Sequence, residues 1–175
     1  YRPDLMAIVV VGDFDKAQME SMIRQQFADL PPAAANVRER VEAPIPDNVD
    51  PIVSIVSDPE ATSSNIQVLL KYPRGETGTV AAFRRGLVAN IYHSLLNQRM
   101  SEIAQRANPP FIGARAGMGE LGRRTSFFSL ATSVKDNGLE AGLGAMLTEV
   151  ERVVQHGFTD TEFDRQKRSL LRSIS

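Results

Sequence analysis

The sequence lacks cysteine altogether and has only two histidines, His93 and His156, among its 175 residues. Without cysteine there can be no disulfide, no thiolate zinc site and no cysteine nucleophile. The two histidines lie far apart, and neither is accompanied by the Glu and second His that a local zinc motif requires. We therefore predict no catalytic, cofactor-binding or metal-binding residue here, and we interpret both histidines as structural or surface side chains.

An excess of charge of one sign is also missing, because 20 Lys and Arg stand against 21 Asp and Glu, giving a net charge of -1. Binding to nucleic acid or to an anionic membrane requires a basic excess, so we expect no nucleic-acid partner. No apolar run approaches the roughly 20 residues that cross a bilayer, so we expect no membrane span. The chain begins at Tyr1 without Met and stops at Ser175 inside a helical pattern, and we expect it to be part of a larger protein.

The first 31 residues predict a strand–helix unit. Residues 5–11 form a continuous apolar run ended by Gly12-Asp13, which is typical of a strand buried on both faces. Asp13 or Asp15 can cap a following helix, whose apolar positions recur at helical spacing until Leu30-Pro31 stops it. A phosphate-loop interpretation of this turn is weaker, because it has one glycine and two acidic residues facing the would-be anion.

A proline-rich stretch over residues 32–51 has no regular period and predicts an extended linker. Beyond it, residues 52–56 and 66–72 predict strands, and residues 79–106 predict a long helix. Residues 111–118 and 126–134 predict a hairpin with a loop slightly longer than the tightest types.

Two further helices complete the pattern. The first has an apolar face over residues 139–154 and Gly157 as its C-terminal cap, and the second starts at a Thr159–Glu162 capping box. Strands followed by helices indicate an α+β fold, with an antiparallel or mixed sheet and helices packed on one face. Residues 52–175 would form this domain.

The remaining polar clusters favour ordinary structural roles. Ser63-Ser64 and Ser126–Ser129 lack the G-x-S-x-G elbow of a serine nucleophile. The basic pairs Arg84-Arg85 and Arg123-Arg124 lack interleaved aromatics and are interpreted as solvated surface.

The order of these elements resembles that of the insulinase-like (pitrilysin) zinc metallopeptidases. The resemblance is carried first by residues 1–15, YRPDLMAIVVVGDFD, and by the helix ending FADLP at residues 27–31. It continues at residues 99–103, RMSEI, which resemble the start of the family's R-L-x-x-x-x-R-E pattern ahead of a hairpin. After residue 135 only the order of helices agrees.

The resemblance implies a clamshell of repeated α+β domains enclosing a peptide, with zinc held by an H-x-x-E-H motif that this chain lacks. The Arg and Tyr that the family's C-terminal half offers to substrate would fall at Gln105 and Ile112, which have neither charge nor hydroxyl. We therefore expect the non-catalytic domain that follows the zinc domain, with residues 1–31 at the junction between them and no peptidase activity of its own.

This resemblance also implies the surroundings of the domain. It would wall the substrate chamber of a zinc-dependent peptidase and contact the other half, its partners being other domains of the parent, a homologous subunit and the peptide substrate. Zinc is expected in the parent and no cofactor in this chain, and a periplasmic or otherwise extracytoplasmic location follows from the family. The alternative is a domain of a proteolytically inactive structural or assembly subunit of the same fold.

Overall fold

A computed structural model describes residues 5–31 and 44–174, and of Ile174 only the backbone. The chain divides into two compact units, residues 1–42 and residues 43–175. The start of the resembling motif, residues 1–4, and residues 32–43 of the predicted linker lie outside the described residues.

The first unit contains one helix, α1 (Lys16–Phe27), among its described residues. Of the two predicted caps it is Asp15 that acts, accepting a hydrogen bond from the Gln18 backbone N–H at 2.8 Å. The predicted strand over residues 5–11 is wrong for this structure, which assigns no strand there. A strand needs a neighbour for its backbone groups, and this run is exposed, with Val9 at 83% and Val11 at 92%.

The second unit is built on an antiparallel sheet of three strands in the order β1-β3-β2. The strands are β1 (Ser64–Pro73), β2 (Gly113–Leu121) and β3 (Thr125–Val134). Leu130 in the central strand lies opposite Val68 on one side and Ala116 on the other. Of the two arrangements that the sequence allowed, the sheet is therefore antiparallel and not mixed.

The predicted strand over residues 52–56 is also wrong, since these residues are not assigned to the sheet. Ile52, Val53, Ile55 and Val56 are between 76% and 89% exposed. Their β-branched side chains favour an extended conformation, but no described strand offers them hydrogen bonds. Propensity alone therefore does not place a segment in a sheet.

Three helices of the second unit follow the predicted order: α2 (Val80–Ala104), α3 (Leu139–His156) and α4 (Asp160–Ile174). Thr79 caps α2 by accepting from the Ala82 N–H at 3.1 Å. Gly157 ends α3 with φ of 69°, a left-handed conformation that favours glycine, so the predicted cap is confirmed.

Both α2 and α3 pack on the same face of the sheet. Leu96 and Met100 of α2 share the core with Ala116 and Leu130, and Gly142 of α3 lies against Val134. By strand register these three sheet residues point to the same side. The core between these layers consists of Leu96, Met100, Ile103, Phe111, Ala116, Leu130, Val134, Met146 and Val153. The predicted α+β fold with helices on one face is confirmed.

The hairpin between β2 and β3 is tighter than predicted, because only residues 122–124 separate the strands. Gly122 adopts a φ of 72°, which a residue with a side chain rarely does. Next to the turn, the ring of Phe127 lies directly over Gly119, where a Cβ atom would collide with it. The aromatic ring thus covers the backbone of the neighbouring strand.

Candidate functional site

The most densely built group of polar side chains lies where α2, α3 and α4 meet, and its centre is Arg99. The guanidinium donates to both carboxylate oxygens of Glu162, from Nε at 2.6 Å and from Nη2 at 2.9 Å. It also donates to Glu149 Oε1 at 3.2 Å and to the carbonyl of Gly157 at 3.1 Å. One side chain of α2 therefore holds the end of α3 and the start of α4 in place.

Glu162 is shared between Arg99 and the N-terminus of α4. Its Oε2 accepts the backbone N–H of Thr159 at 2.7 Å, and the Glu162 N–H donates to Thr159 Oγ1 at 3.3 Å. This reciprocal arrangement confirms the predicted capping box. The hydrogen bonds from Arg99, followed by those from Thr159, lower the pKa of Glu162 to about 2 against the cost of its burial.

A row of rings lies beside this cluster. The guanidinium carbon of Arg99 is 4.9 Å from the centre of the Phe158 ring, a cation–π distance. Phe158 packs edge-on against Tyr92 at 5.7 Å, and His93 stacks on Phe128 at 5.6 Å. Burial lowers the pKa of His93, which favours the neutral imidazole. The ring of His93 thus serves as a packing element, as its structural interpretation predicted.

A second polar link joins α2 to the sheet edge. The Asn97 side chain donates to the Ala116 carbonyl at 3.0 Å and accepts from the Ala116 N–H at 2.6 Å. It therefore supplies both backbone groups of Ala116 with partners, as a neighbouring strand would. Sequence reasoning missed this role. The available signal was a single Asn beside the apolar stripe of a helix.

These polar groups form their hydrogen bonds with one another, which leaves few of them available to bind a ligand. In the second unit's described residues, no buried side-chain nitrogen or oxygen is without a hydrogen-bond partner. No group of three or more His, Cys, Asp and Glu able to hold a metal occurs in residues 5–31 or 44–174. A cleft of about 160 Å³ between α2 and α4 includes Glu162 and Leu95 in its wall, and it is smaller than the 300 Å³ or more of typical small-molecule sites.

The other residues singled out from the sequence are dispersed. His156 lies in the last turn of α3, and the basic pairs occupy exposed positions on α2 and the hairpin turn. Ser126 is buried, whereas Ser129 donates to the Gly117 carbonyl at 3.4 Å. They lie on different elements, at the end of α3, on α2, at the hairpin turn and on β3, so the structure does not gather this set into one site.

The two positions carried over from the family lie between α2 and β2. Gln105 is the C-terminal cap of α2, with its side-chain amide donating to Ser101 Oγ at 3.2 Å. Ile112 is 54% exposed and bonds through its backbone to Ser133. Their assignment as replacements of substrate-binding residues stays a prediction.

Among the helices that the structure describes, none combines the length and the apolar character that a membrane span requires.

The fold and the internally paired charges define an α+β domain in which the polar cluster around Arg99 joins helices to one another. Comparison with known proteins identifies the family: residues 1–170 match the Peptidase M16 inactive domain. The chain belongs to this family, the inactive domain of the insulinase-like peptidases, as the sequence resemblance predicted.

Its relatives are much longer than the chain. A probable zinc protease PqqL of Haemophilus influenzae is 25% identical over 172 residues, covering 97% of this chain and 18% of that protein. The crystal structure of the periplasmic protease PqqL from Escherichia coli superposes with a TM-score of 0.72 at 21% identity, covering 93% of this chain and 18% of that one.

The structure of the first half of the same Escherichia coli protein gives a TM-score of 0.71 at 20% identity, over 93% of this chain and 34% of that one. At these identities the structural comparisons show the fold alone. The chain spans 18% of the length of the PqqL proteins of Haemophilus influenzae and Escherichia coli.

Proposed function

We propose that this chain is the non-catalytic domain that follows the zinc-binding domain in the first half of a zinc-dependent peptidase. The observation that carries the proposal is the match of residues 1–170 to the inactive domain, in a chain that is 18% of the length of relatives named zinc proteases. The domain would wall a chamber for peptide substrates and confine them, which lowers the entropic barrier to cleavage without contributing chemistry.

The proposed domain organisation assigns residues 1–31 to the junction with the zinc domain, residues 32–51 to the linker and residues 52–175 to the non-catalytic domain. The division of the chain into units 1–42 and 43–175 supports a boundary within that linker. The apolar run over residues 5–11, which is exposed in this structure, offers a surface that the zinc domain would cover.

The proposed chamber wall is the face of the sheet opposite α2 and α3, which we name the open face. It is formed by the outward-pointing positions of the strands, among them Gln67, Leu69, Lys71, Arg115, Phe127, Ser129 and Ala131. No described helix of the second unit covers it, and its exposed or half-buried side chains are mostly small or polar. Such a face can contact many peptide sequences without binding one permanently.

The proposed contact with the other half uses the first turns of α2. Val80 is 86% exposed, Phe83 69% and Val88 62%, whereas the buried residues of this helix begin at Leu95. Apolar side chains grouped on one stretch of helix are typical of a surface that packs against another domain or a homologous subunit. The exposed, mostly apolar residues 52–56 offer a second surface for such a contact.

Zinc in this proposal is bound by another part of the longer protein and not by this chain. The location we propose is outside the cytoplasm, supported by a relative of the same fold that is described as a periplasmic protease. Both statements concern the longer protein and rest on its relatives.

Photo-crosslinking tests the chamber wall. A photoreactive amino acid replaces Gln67 on the open face of the longer protein, and in a matched control it replaces Glu140, which is exposed on α3. With zinc removed to prevent cleavage, we expect a peptide substrate to crosslink at position 67 and not at position 140. Equal crosslinking at both positions, or none at position 67, would overturn the chamber-wall role.

The alternative is a domain of a structural or assembly subunit that has lost proteolysis. It is favoured by the uncharged Gln105 and the hydroxyl-free Ile112 at the positions where the resemblance implies substrate-binding residues. Metal analysis of the purified longer protein separates the two: one zinc per chain supports the peptidase, and no bound zinc supports the scaffold.

A further inference from the structure

The ionic side chains of the open face share one sign. Strand register places Lys71 and Arg115 on this face, and no Asp or Glu occupies an outward-pointing position of β1, β2 or β3. The one acidic residue in these strands, Glu120, is opposite Ser126 on the helix-facing side and pairs with Arg74 at 2.9 Å. Although the whole chain is nearly neutral, the open face is cationic.

Neither cation of the open face is neutralised by a carboxylate among the described residues. Lys71 Nζ donates to the Pro46 carbonyl at 2.7 Å, which fixes its position without cancelling its charge. Arg115 is exposed and takes part in none of the ion pairs found in this unit. Asp47 and Asp50 follow Pro46 in the chain, and the ion pairs found among the described residues include neither of them.

Apolar side chains lie beside the two charges. Phe127 stands opposite Lys71 in the register and spreads its ring over Gly119. Leu69, two residues before Lys71 on the same face, is 45% exposed. The open face therefore offers aromatic and aliphatic contact area flanked by positive charge, which is complementary to a segment with both acidic and apolar residues.

We propose that the open face selects acidic peptide segments, with Lys71 and Arg115 as the residues that determine this preference. The inference rests on the proposed chamber-wall function and adds the substrate class. The occupant is an extended peptide in which Asp or Glu alternates with apolar residues. Its carboxylates pair with the two cations, and its apolar side chains lie on Leu69 and Phe127.

An NMR titration of the full chain tests the preference without zinc or catalysis. The probes are a short peptide containing Glu and Val in equal share and matched peptides with Gln or Lys in place of Glu. We expect the Glu peptide to bind tightest and the Lys peptide weakest. Each cation should contribute about two- to fivefold in affinity at low salt, and less as salt screens the charges. Shifted amide signals should map to the centre of β3, at Ser129 and Ala131.

Substitutions test whether Arg115 and Lys71 determine the preference for acidic peptides. Arg115→Glu should abolish the preference for the Glu peptide over the Lys peptide, because the new carboxylate offsets the charge of Lys71. Lys71→Gln, which keeps a donor for Pro46, should only weaken the preference. Arg85→Glu makes the same charge change at an exposed position of α2 and should leave the preference unchanged. Amide spectra of each variant verify the fold before titration.

The outcomes separate this inference from the proposed function. If all three peptides bind equally at β3, the chamber wall stands and the acidic preference is overturned. Loss of the preference in Arg85→Glu as well as in Arg115→Glu would overturn it too, since the net charge of the chain would then be the cause. If no peptide perturbs the open face, both proposals fail together.

Discussion

Arg99 and Glu162 lie 63 residues apart in the sequence and form a bidentate ion pair, in which one guanidinium donates to both carboxylate oxygens. Both side chains are only 18% exposed, so the pair is shielded from water and salt. The hydrogen bond to Glu162 raises the pKa of Arg99, and the same bond lowers that of Glu162. The pair therefore fixes the start of α4 to α2.

Arg99→Lys should destabilise the domain although it keeps the charge, because an ammonium cannot reach Glu162, Glu149 and Gly157 from one planar group. We expect a loss of about 1–3 kcal/mol in the free energy of unfolding, measured by urea denaturation. The control is Arg165→Lys, whose pair with Glu102 spans 3.6 Å between side chains that are 59% and 52% exposed. That variant should change stability by less than about 0.5 kcal/mol, and equal losses would contradict the role of Arg99.

Acid should weaken the domain through Glu162. The folded state lowers the pKa of Glu162 to about 2, below the value of about 4.3 for an unfolded chain, so folding favours the ionised form. The contribution is complete above about pH 4.5 and is lost as the pH falls towards 2. Glu162→Gln should be less stable at neutral pH and should lose less stability across this window. The free energy of unfolding, measured against pH for the original chain and for Glu162→Gln, tests this. Parallel curves for the two proteins would contradict the role of Glu162.

Two glycines of α3 should respond oppositely to the same substitution. A Cβ atom at Gly142 would overlap Val134 Cγ1, whereas a Cβ atom at Gly144 would meet nothing within 4 Å. Gly144→Ala should stabilise the chain by about 0.5–1 kcal/mol through helix propensity. Gly142→Ala should destabilise it by about 1–3 kcal/mol, because it forces α3 away from the sheet. Thermal unfolding of both variants measures the difference, and stabilisation by both would show that this contact is not tight.

Asn97→Ala should cost about 1–3 kcal/mol, since it leaves the N–H and the carbonyl of Ala116 without their partner in a buried edge. The matched control is Asn90→Ala, two helical turns earlier at an exposed position of α2. Faster hydrogen exchange at Ala116 in the first variant alone would locate the effect. Unchanged exchange there would mean that water replaces Asn97 at no cost.

Helices, caps and the hairpin strands could be predicted from the sequence because their signals are local. Thr159 and Glu162 lie three residues apart, and Gly157 directly ends an apolar face, so a short window holds the whole signal. The capping box is therefore predictable from the sequence. The ion pair between Glu162 and Arg99 is not, because Arg99 lies on another helix.

Strand predictions failed where none of the described strands supplies a hydrogen-bonding partner. Residues 66–72 and 52–56 have similar β-forming composition, but only the former lies in β1, where β3 supplies its hydrogen bonds. Local sequence measures the preference for an extended backbone and does not reveal whether a partner strand exists. The cationic open face was missed for the same reason, since Lys71 and Arg115 share a face only through their common neighbour β3.

Zinc-dependent peptide hydrolysis, measured side by side for this chain and for the longer protein that carries it, tests the central claim most directly. We predict cleavage by the longer protein that is lost with a chelator and restored by zinc, and no cleavage by the chain alone with zinc added. Chelator-sensitive cleavage by the chain alone would contradict its non-catalytic role. Cleavage by neither protein would contradict the peptidase and leave the scaffold subunit as the function.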